Sequence, residues 1–387
     1  MKIIKYKKYK IIIFFNILYL SYFFCKLKIV LSSYILKNEI KKNEEYLKLC
    51  SSIKYFDSKR IKVSNSPKIS IISPVYNTGK FVLRLLRSIQ YQNFKDFEFI
   101  LIDDCSQDDS IDLIKKYQQS DKRIILIRNK ENRGTFSSRN LGILKSKGNY
   151  IMIPDPDDIL LENAFKYFYH FSIKNNFDFL RFNVYLRYGR TFFGAITDNL
   201  ESRPIYQPEL STYIFYGLGH LKQVDYNICN KFIKREALIR SLNVFEKSDL
   251  NMYMTCHEDG LLNYILYRTS KSSFFLKKFG YYYIKNNYKK RSGYFNFNNI
   301  KFSFIHLMYV FKYSKNTKYE KDMTNEIFKR LIYKKRIIKR LQLLNKEHNF
   351  FIDIINILKQ NEFFKYKYKK YLNFFLYYFS KHFMKNI

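Results

Sequence analysis

Tryptophan is absent from the 387 residues, and glycine (11) and proline (6) are scarce. What takes their place is Tyr (36) and Phe (38), with abundant Ile, Asn and Lys. All the abundant types have A/T-rich codons, so this skew follows from base composition without reference to function. Acid is also in short supply: 33 Asp and Glu face 70 Lys and Arg, a formal net charge of +37. Such an excess suits nucleic-acid binding through counterion release. The lysines are spread over the whole chain instead of one segment, which favours compositional bias. The five cysteines (Cys25, Cys50, Cys105, Cys229, Cys256) are scattered and form no C-x-x-C pair. Neither a zinc site nor a disulfide framework is indicated, and reduced, inert thiols are expected. No N-x-[ST] sequon occurs despite the many asparagines, which weighs against a glycosylating lumen.

Long apolar runs are lacking except at the start, where "MKIIKYKKYK" precedes "IIIFFNILYLSYFFC". Fifteen helical residues span about 22 Å, short of the ~30 Å hydrocarbon core. Adding "KLKIVLSSYIL" reaches full length if Lys26 and Lys28 snorkel. Residues 1–36 are therefore expected to form a basic N-terminus and a single membrane anchor of signal-anchor type, with orientation open. Residues 37–67 read as a charged stem.

From Lys68 the texture changes. "KISIISPVYN", "FEFILIDDCS", "RIILIRN" and "YIMIP" read as buried strands. Between them, "KFVLRLLRSIQYQ", "DDSIDLIKKYQQ" and "TFSSRNLGILKSKG" carry helical spacing, with Gly148 expected to cap the last. This alternation predicts right-handed βαβ units and a mainly parallel sheet that binds ligands beyond its strands' carboxyl ends. After about Tyr188 the pattern loosens. Residues 296–387 form a basic, aromatic-rich extension with helical spacing, expected to dock on the preceding domain, residues 68–295.

Two of these strands end in acid. Asp103 and Asp104 close the second, and Asp155, Asp157 and Asp158 close the fourth. Capping accounts for Asp108 and Asp109, and Asp158 is placed at the start of a helix carrying Leu160, Leu161 and Phe165. Three carboxylates in four residues repel one another unless a cation neutralises them. Carboxylates around a turn suit a hard divalent ion that takes its other ligands from water and substrate phosphates. Pro156 stiffens the turn by fixing its own φ and pushing Asp155 into extended geometry. This reading requires carboxylates open to a cation, not turned inward onto basic side chains of the same chain.

"SPVYNTGKFVLRLLRSIQYQNFKDFEFILIDDCSQDDS", "ENRGTFSSRNLGILKSKGNYIMIPDPDD" and "HEDGLLNYIL" together resemble the family 2 glycosyltransferases of GT-A fold. The likeness is dense over about Lys68–Tyr169 and thin to about Tyr294. It implies an α/β, Rossmann-like nucleotide-diphospho-sugar transferase fold. It implies that Pro74, Val75 and Tyr76 line the nucleoside, with Tyr76 against the base. Asp104, or as second choice Asp103, would accept the uracil N3–H. Asn132 and Gly134 would shape the loop before a helix N-terminus. Arg139 would reach acidic partners or the donor phosphates, or else form an intramolecular ion pair. Asp155 would hold the ribose or a metal-bound water, and Asp157 would bind Mn²⁺ or Mg²⁺ directly. The resemblance implies a catalytic base at Asp259, with Glu258 as alternative, and inversion at the anomeric carbon. Asn230, Lys231, Tyr282, Tyr283 and Arg291 fall in segments similar to the family's acceptor side. Processive synthases of the family carry a Trp-containing motif and several membrane helices, so the missing tryptophan argues against processivity.

The leading expectation is transfer of one sugar from a nucleotide-sugar, UDP-linked by preference, to a hydroxyl of a glycan, glycoconjugate or protein. The alternative acceptor is a polyprenyl phosphate at the membrane surface. Readings of another class are a nucleic-acid-binding protein or an inactive sugar-binding relative.

Overall fold

The computed structural model describes residues 64–188, 191–196, 202–207, 209–210, 227–285, 306, 309–310 and 312–314. The expected membrane segment lies outside the described residues, as does nearly all of the stem. Among the described residues, no helix is long and apolar enough to cross a membrane.

The alternating apolar segments fold as read. β1 (Ile69–Val75), α1 (Val82–Gln90), β2 (Phe97–Asp103), α2 (Ser110–Ser120), β3 (Ile124–Arg128), α3 (Gly134–Lys145) and β4 (Tyr150–Met152) follow in order. Then come β5 (Ile159–Leu160), α4 (Ala164–Asn175), β6 (Phe179–Tyr188), β7 (Thr191–Ile196) and β8 (Pro204–Tyr206). β9 (Lys231–Lys234), α5 (Arg235–Leu242), α6 (Glu258–Thr269) and β10 (Ser272–Lys285) complete the described elements.

The strands form one sheet in the order β3-β2-β1-β4-β9-β6-β10-β5, with β7 beside β6 and β8 beside β10. β1 is parallel to both β2 and β4, and β2 to β3. β9 runs antiparallel to β4 and β6, and β10 is parallel to β6. The sheet is thus parallel in its first half and mixed beyond β4. Strand alternation divides the core between two faces. Ile72, Ile100, Ile102 and Ile151 meet α3, α5 and α6, while Ile71, Phe99, Leu101 and Met152 meet α1, α2 and α4. The carboxyl ends of β1, β2 and β4 lie together, as parallel pairing requires.

Two local expectations are corrected. Asp158 does not start a helix: it precedes β5, and α4 begins at Ala164. Gly148 is not the cap of α3, which ends at Lys145 with Ser146 extended. Gly148 instead allows close approach to β1, where an added Cβ would lie 2.5 Å from the Ser70 backbone nitrogen. The described residues of the C-terminal extension dock on the domain. Val310 is buried, the Tyr313 ring lies 4.9 Å edge-on from Phe245, and Lys312 pairs with Asp249 and Glu246.

Candidate active site

The loop after β1 is stitched to the loop after β2. Asn77 takes a positive φ of 50°, and its backbone N–H donates to the Ser106 hydroxyl at 3.0 Å. Its side-chain carbonyl accepts from the Gln107 N–H, and Ser110 Oγ accepts from the N–H groups of Thr78 and Gly79. This leaves Tyr76, 40% exposed, at the carboxyl edge of the sheet. Of the three residues expected to line a nucleoside, it alone presents an exposed side chain: Pro74 is buried and Val75 lies in the core.

Asp103 and Asp104 are buried and engaged inside the protein. Asp103 accepts from the Ser106 N–H at 3.0 Å and from Arg128 Nε at 3.2 Å. Asp104 accepts from the N–H groups of Arg133 and Gly134 and from Asn129 Nδ2, each at 2.8 Å. The carboxylate therefore caps α3 from a distant strand, where its charge complements the helix dipole. Asn132 Oδ1 accepts from the same Gly134 N–H at 3.2 Å. Gly134 has φ +79°, and a Cβ there would lie 2.8 Å from the Met254 backbone nitrogen. Glycine is needed on both counts.

One turn further along α3, Arg139 is buried and gathers three carboxylates from two other segments. Its Nη2 donates to Asp155 Oδ1 at 2.7 Å, and its Nη1 to Glu258 Oε1 at 3.0 Å and to Asp259 Oδ1. Asp155 follows β4, and Glu258 and Asp259 open α6 behind His257, whose φ is +65°. One positive charge cannot balance three negative ones. Burial, helped by the like charges of Asp259 and Asp157, outweighs Arg139 and pushes the Asp155 carboxyl up to about 6. Burial with Asp259 nearby likewise pushes Glu258 up to about 7. Burial works against the charge of Arg139, yet Asp259, Glu258 and Asp155 together hold it firmly protonated.

Asp259 is anchored by one oxygen and open at the other. Among the described residues its Oδ2 has a single long contact, 3.4 Å from the Ile228 N–H, and its side chain is 21% exposed against 9% for Glu258. Asp157 is half-buried at the rim. Asp158 is fully buried, accepting from the Tyr281 hydroxyl and the Ile284 N–H. Lys231, also fully buried, donates to the Asn227 carbonyl and to Asn230 Oδ1. Tyr283 is 38% exposed at the rim, and Tyr282 is in the core. Arg291 lies outside the described residues.

The expectation of carboxylates wholly open to a cation needs correcting. Asp155 gives one oxygen to Arg139, and Asp158 is turned inward, because burial enforces partners for both. Among the described residues, no group of three or more His, Cys, Asp or Glu is arranged to cage a metal ion. The donor set still fits an ion shared with substrate. Asp155 Oδ2 accepts no hydrogen bond from the described residues, Asp157 is half-buried two residues on, and the three carboxylates around Arg139 outnumber its one positive charge. A magnesium-like ion needs one or two carboxylates plus phosphate and water.

Several contributors escaped the sequence reading. Asn129 joins Asp104 to Ser138, the Met254 carbonyl receives the Phe136 N–H, and Tyr281 binds the acidic turn. Period-2 alternation singles out Tyr281 from Tyr282 once the strand is fixed, but partners more than a hundred residues away leave no local signal.

The comparisons bear on the family and the fold. A family model described as glycosyl transferase family 2 matches residues 70–241. An uncharacterized glycosyltransferase of Haemophilus influenzae is 31% identical over 212 residues, covering 54% of this chain and 79% of that one. The poly(ribitol-phosphate) beta-N-acetylglucosaminyltransferase TarP of Staphylococcus aureus is 31% identical over 216 residues, 49% of this chain and 63% of TarP. Among solved structures, S. aureus TarS 1–349 in complex with UDP-GlcNAc superposes with a TM-score of 0.53 at 18% identity, covering 75% of this chain and 79% of that one. That likeness supports the GT-A-like fold, while shared sequence with the Haemophilus protein over most of its length establishes kinship. The chain belongs to glycosyl transferase family 2 and is a glycosyltransferase.

Proposed function

We propose that the enzyme transfers one sugar from a UDP-sugar to an acceptor hydroxyl of a glycan, glycoconjugate or protein, inverting the anomeric carbon. The observation that carries this reading is Arg139. It ties Asp155, on the donor side, to Asp259, on the acceptor side, through one guanidinium. Tyr76 offers its exposed ring to the base, and the Asp103–Asp104 pair fixes the loops around it. Asp104 still has an unfilled lone pair with which to accept the uracil N3–H. The donor diphosphate lies at Asp155 and Asp157, where a bound Mn²⁺ or Mg²⁺ would neutralise charge on the departing diphosphate.

Asp259 Oδ2 takes the acceptor's hydroxyl proton while Oδ1 stays on Arg139, which orients the base. The freed oxygen attacks the anomeric carbon from the face opposite the diphosphate. The bond between that carbon and the phosphate oxygen breaks, and UDP leaves. Glu258, less exposed than Asp259 and held by Arg139 Nη1, is the less accessible carboxylate and completes the Arg139 pairing. The N-acetylglucosaminyl group in TarP's name and the UDP-GlcNAc bound to TarS make UDP-GlcNAc the first donor to try. Release of UDP is measured from a panel of UDP- and GDP-sugars with and without Mn²⁺. Metal-stimulated release from a UDP-sugar supports the proposal; no turnover of any donor in either condition points to an inactive relative.

A further inference from the structure

The turn that presents Asp155 and Asp157 is held from the far side of the sheet. Tyr281 lies in β10, opposite Leu160 of β5 and Val184 of β6, and is fully buried. Its hydroxyl accepts the Asp155 backbone N–H at 3.0 Å and donates to Asp158 Oδ2 at 2.6 Å. The other Asp158 oxygen accepts the Ile284 N–H at 2.8 Å. The turn closes on itself where the Asp158 N–H donates to the Asp155 carbonyl at 3.3 Å. Pro156, between them, has no N–H to offer. The first and last residues of the turn are therefore both fixed to β10, and a single phenolic oxygen joins them.

We infer that Tyr281 and Asp158 form a brace that sets where Asp155 and Asp157 point. This makes Tyr281 a positioning residue for the donor site and excludes the third aspartate as a ligand. The inference rests on the proposed placing of the donor diphosphate at Asp155 and Asp157. Both side chains of the brace are fully buried, and both Asp158 oxygens are engaged by β10, so that carboxylate cannot serve donor and brace together. A tyrosine that only filled the core would need its ring and not its oxygen.

Tyr281→Phe keeps the ring and deletes the oxygen. Asp158→Ala removes both acceptors, whereas Asp158→Asn keeps one oxygen for the Ile284 N–H and turns an N–H toward the tyrosine, whose own O–H then loses its acceptor. In the full chain, amide hydrogen exchange at Asp155 to Asp158 is measured together with the dissociation constant of UDP in Mn²⁺. Loss of these buried hydrogen bonds is expected to speed Asp155 exchange and weaken UDP by roughly tenfold in Tyr281→Phe. Asp158→Ala is expected to lose more, Asp158→Asn to recover at most the part owed to the Ile284 N–H, and the double variant of Asp158→Ala with Tyr281→Phe to lose no more than Asp158→Ala alone. Wild-type exchange and UDP affinity in Tyr281→Phe would overturn the brace. So would a double variant of Tyr281→Phe with Asp158→Ala that loses the full sum of the two single losses, since the two groups would then act independently. Failure of the unaltered protein to bind UDP would count against the donor site alone, and the exchange rates would still decide the brace.

Discussion

Arg139 faces a cost that its position makes unavoidable: it is buried among three carboxylates and neutralises one charge's worth. Arg139→Ala would leave those carboxylates unpaired and is expected to destabilise the protein by about 3–5 kcal/mol, read by chemical denaturation. The raised Glu258 carboxyl has a sign that can be checked. Its folded-state pKa of about 7 lies above the ordinary glutamate value, so its contribution to stability is full below about pH 4.5 and is lost as pH rises through about 7. Glu258→Gln removes that loss. Its melting temperature relative to the unaltered protein is expected to be higher at pH 8 than at pH 5, and equal offsets at both would contradict it. Asp259→Asn is expected to lower the transfer rate by about 10²–10⁴-fold with UDP affinity within a few fold, separating base from binding. At this scale the sequence singles out Asp155, Asp157 and Asp259 at the ends of legible elements, and the structure brings Asp155 and Asp259 together on Arg139. The sequence does not show what each acid touches. Asp104 caps a helix thirty residues on, and Asp158 meets β10, because such partners are set by the sheet and not by neighbours in the chain.

Helix α3 is the element on which the site turns. It receives Asp104 and Asn132 at its first residue and carries Arg139 inward, so a shift at its N-terminus moves the whole carboxylate set. Gly134→Ala would place a Cβ against the backbone of Met254 in a left-handed conformation. A loss of about 1–3 kcal/mol in stability and a weaker hold on UDP are expected, measured by thermal unfolding and calorimetry. An unchanged melting temperature would show that the Met254 loop yields. Helical spacing and acid-ended strands made β1 to β4 and their helices readable. Past β4 the signal fails for a physical reason. β9, β6 and β10 pair across long separations and in mixed directions, and β10 reaches β6 with register shifts near Leu276 and Phe279. No local period encodes such pairing.

Across the whole molecule, the described residues of the C-terminal extension pack on the face opposite α4. Lys312 and Tyr313 meet Asp249, and Val310 is buried beside α5 and α6, whose first residues include Glu258 and Asp259. A chain ending at residue 300 is expected to melt several degrees lower, since burying a side chain such as valine contributes about 1.5–3 kcal/mol. An unchanged melting temperature would show that the extension is a passenger. The N-terminal 36 residues are proposed as a membrane tether, and partition of the full chain with membranes, lost when residues 1–63 are removed, is the corresponding expectation. The acidic edge of the sheet remains the centre of the account. Calorimetric titration of UDP, with Mn²⁺, with EDTA, and with Mn²⁺ into Asp157→Asn, tests it most directly. Saturable binding only to the unaltered protein with metal is the predicted result, and equal binding in all three would contradict it.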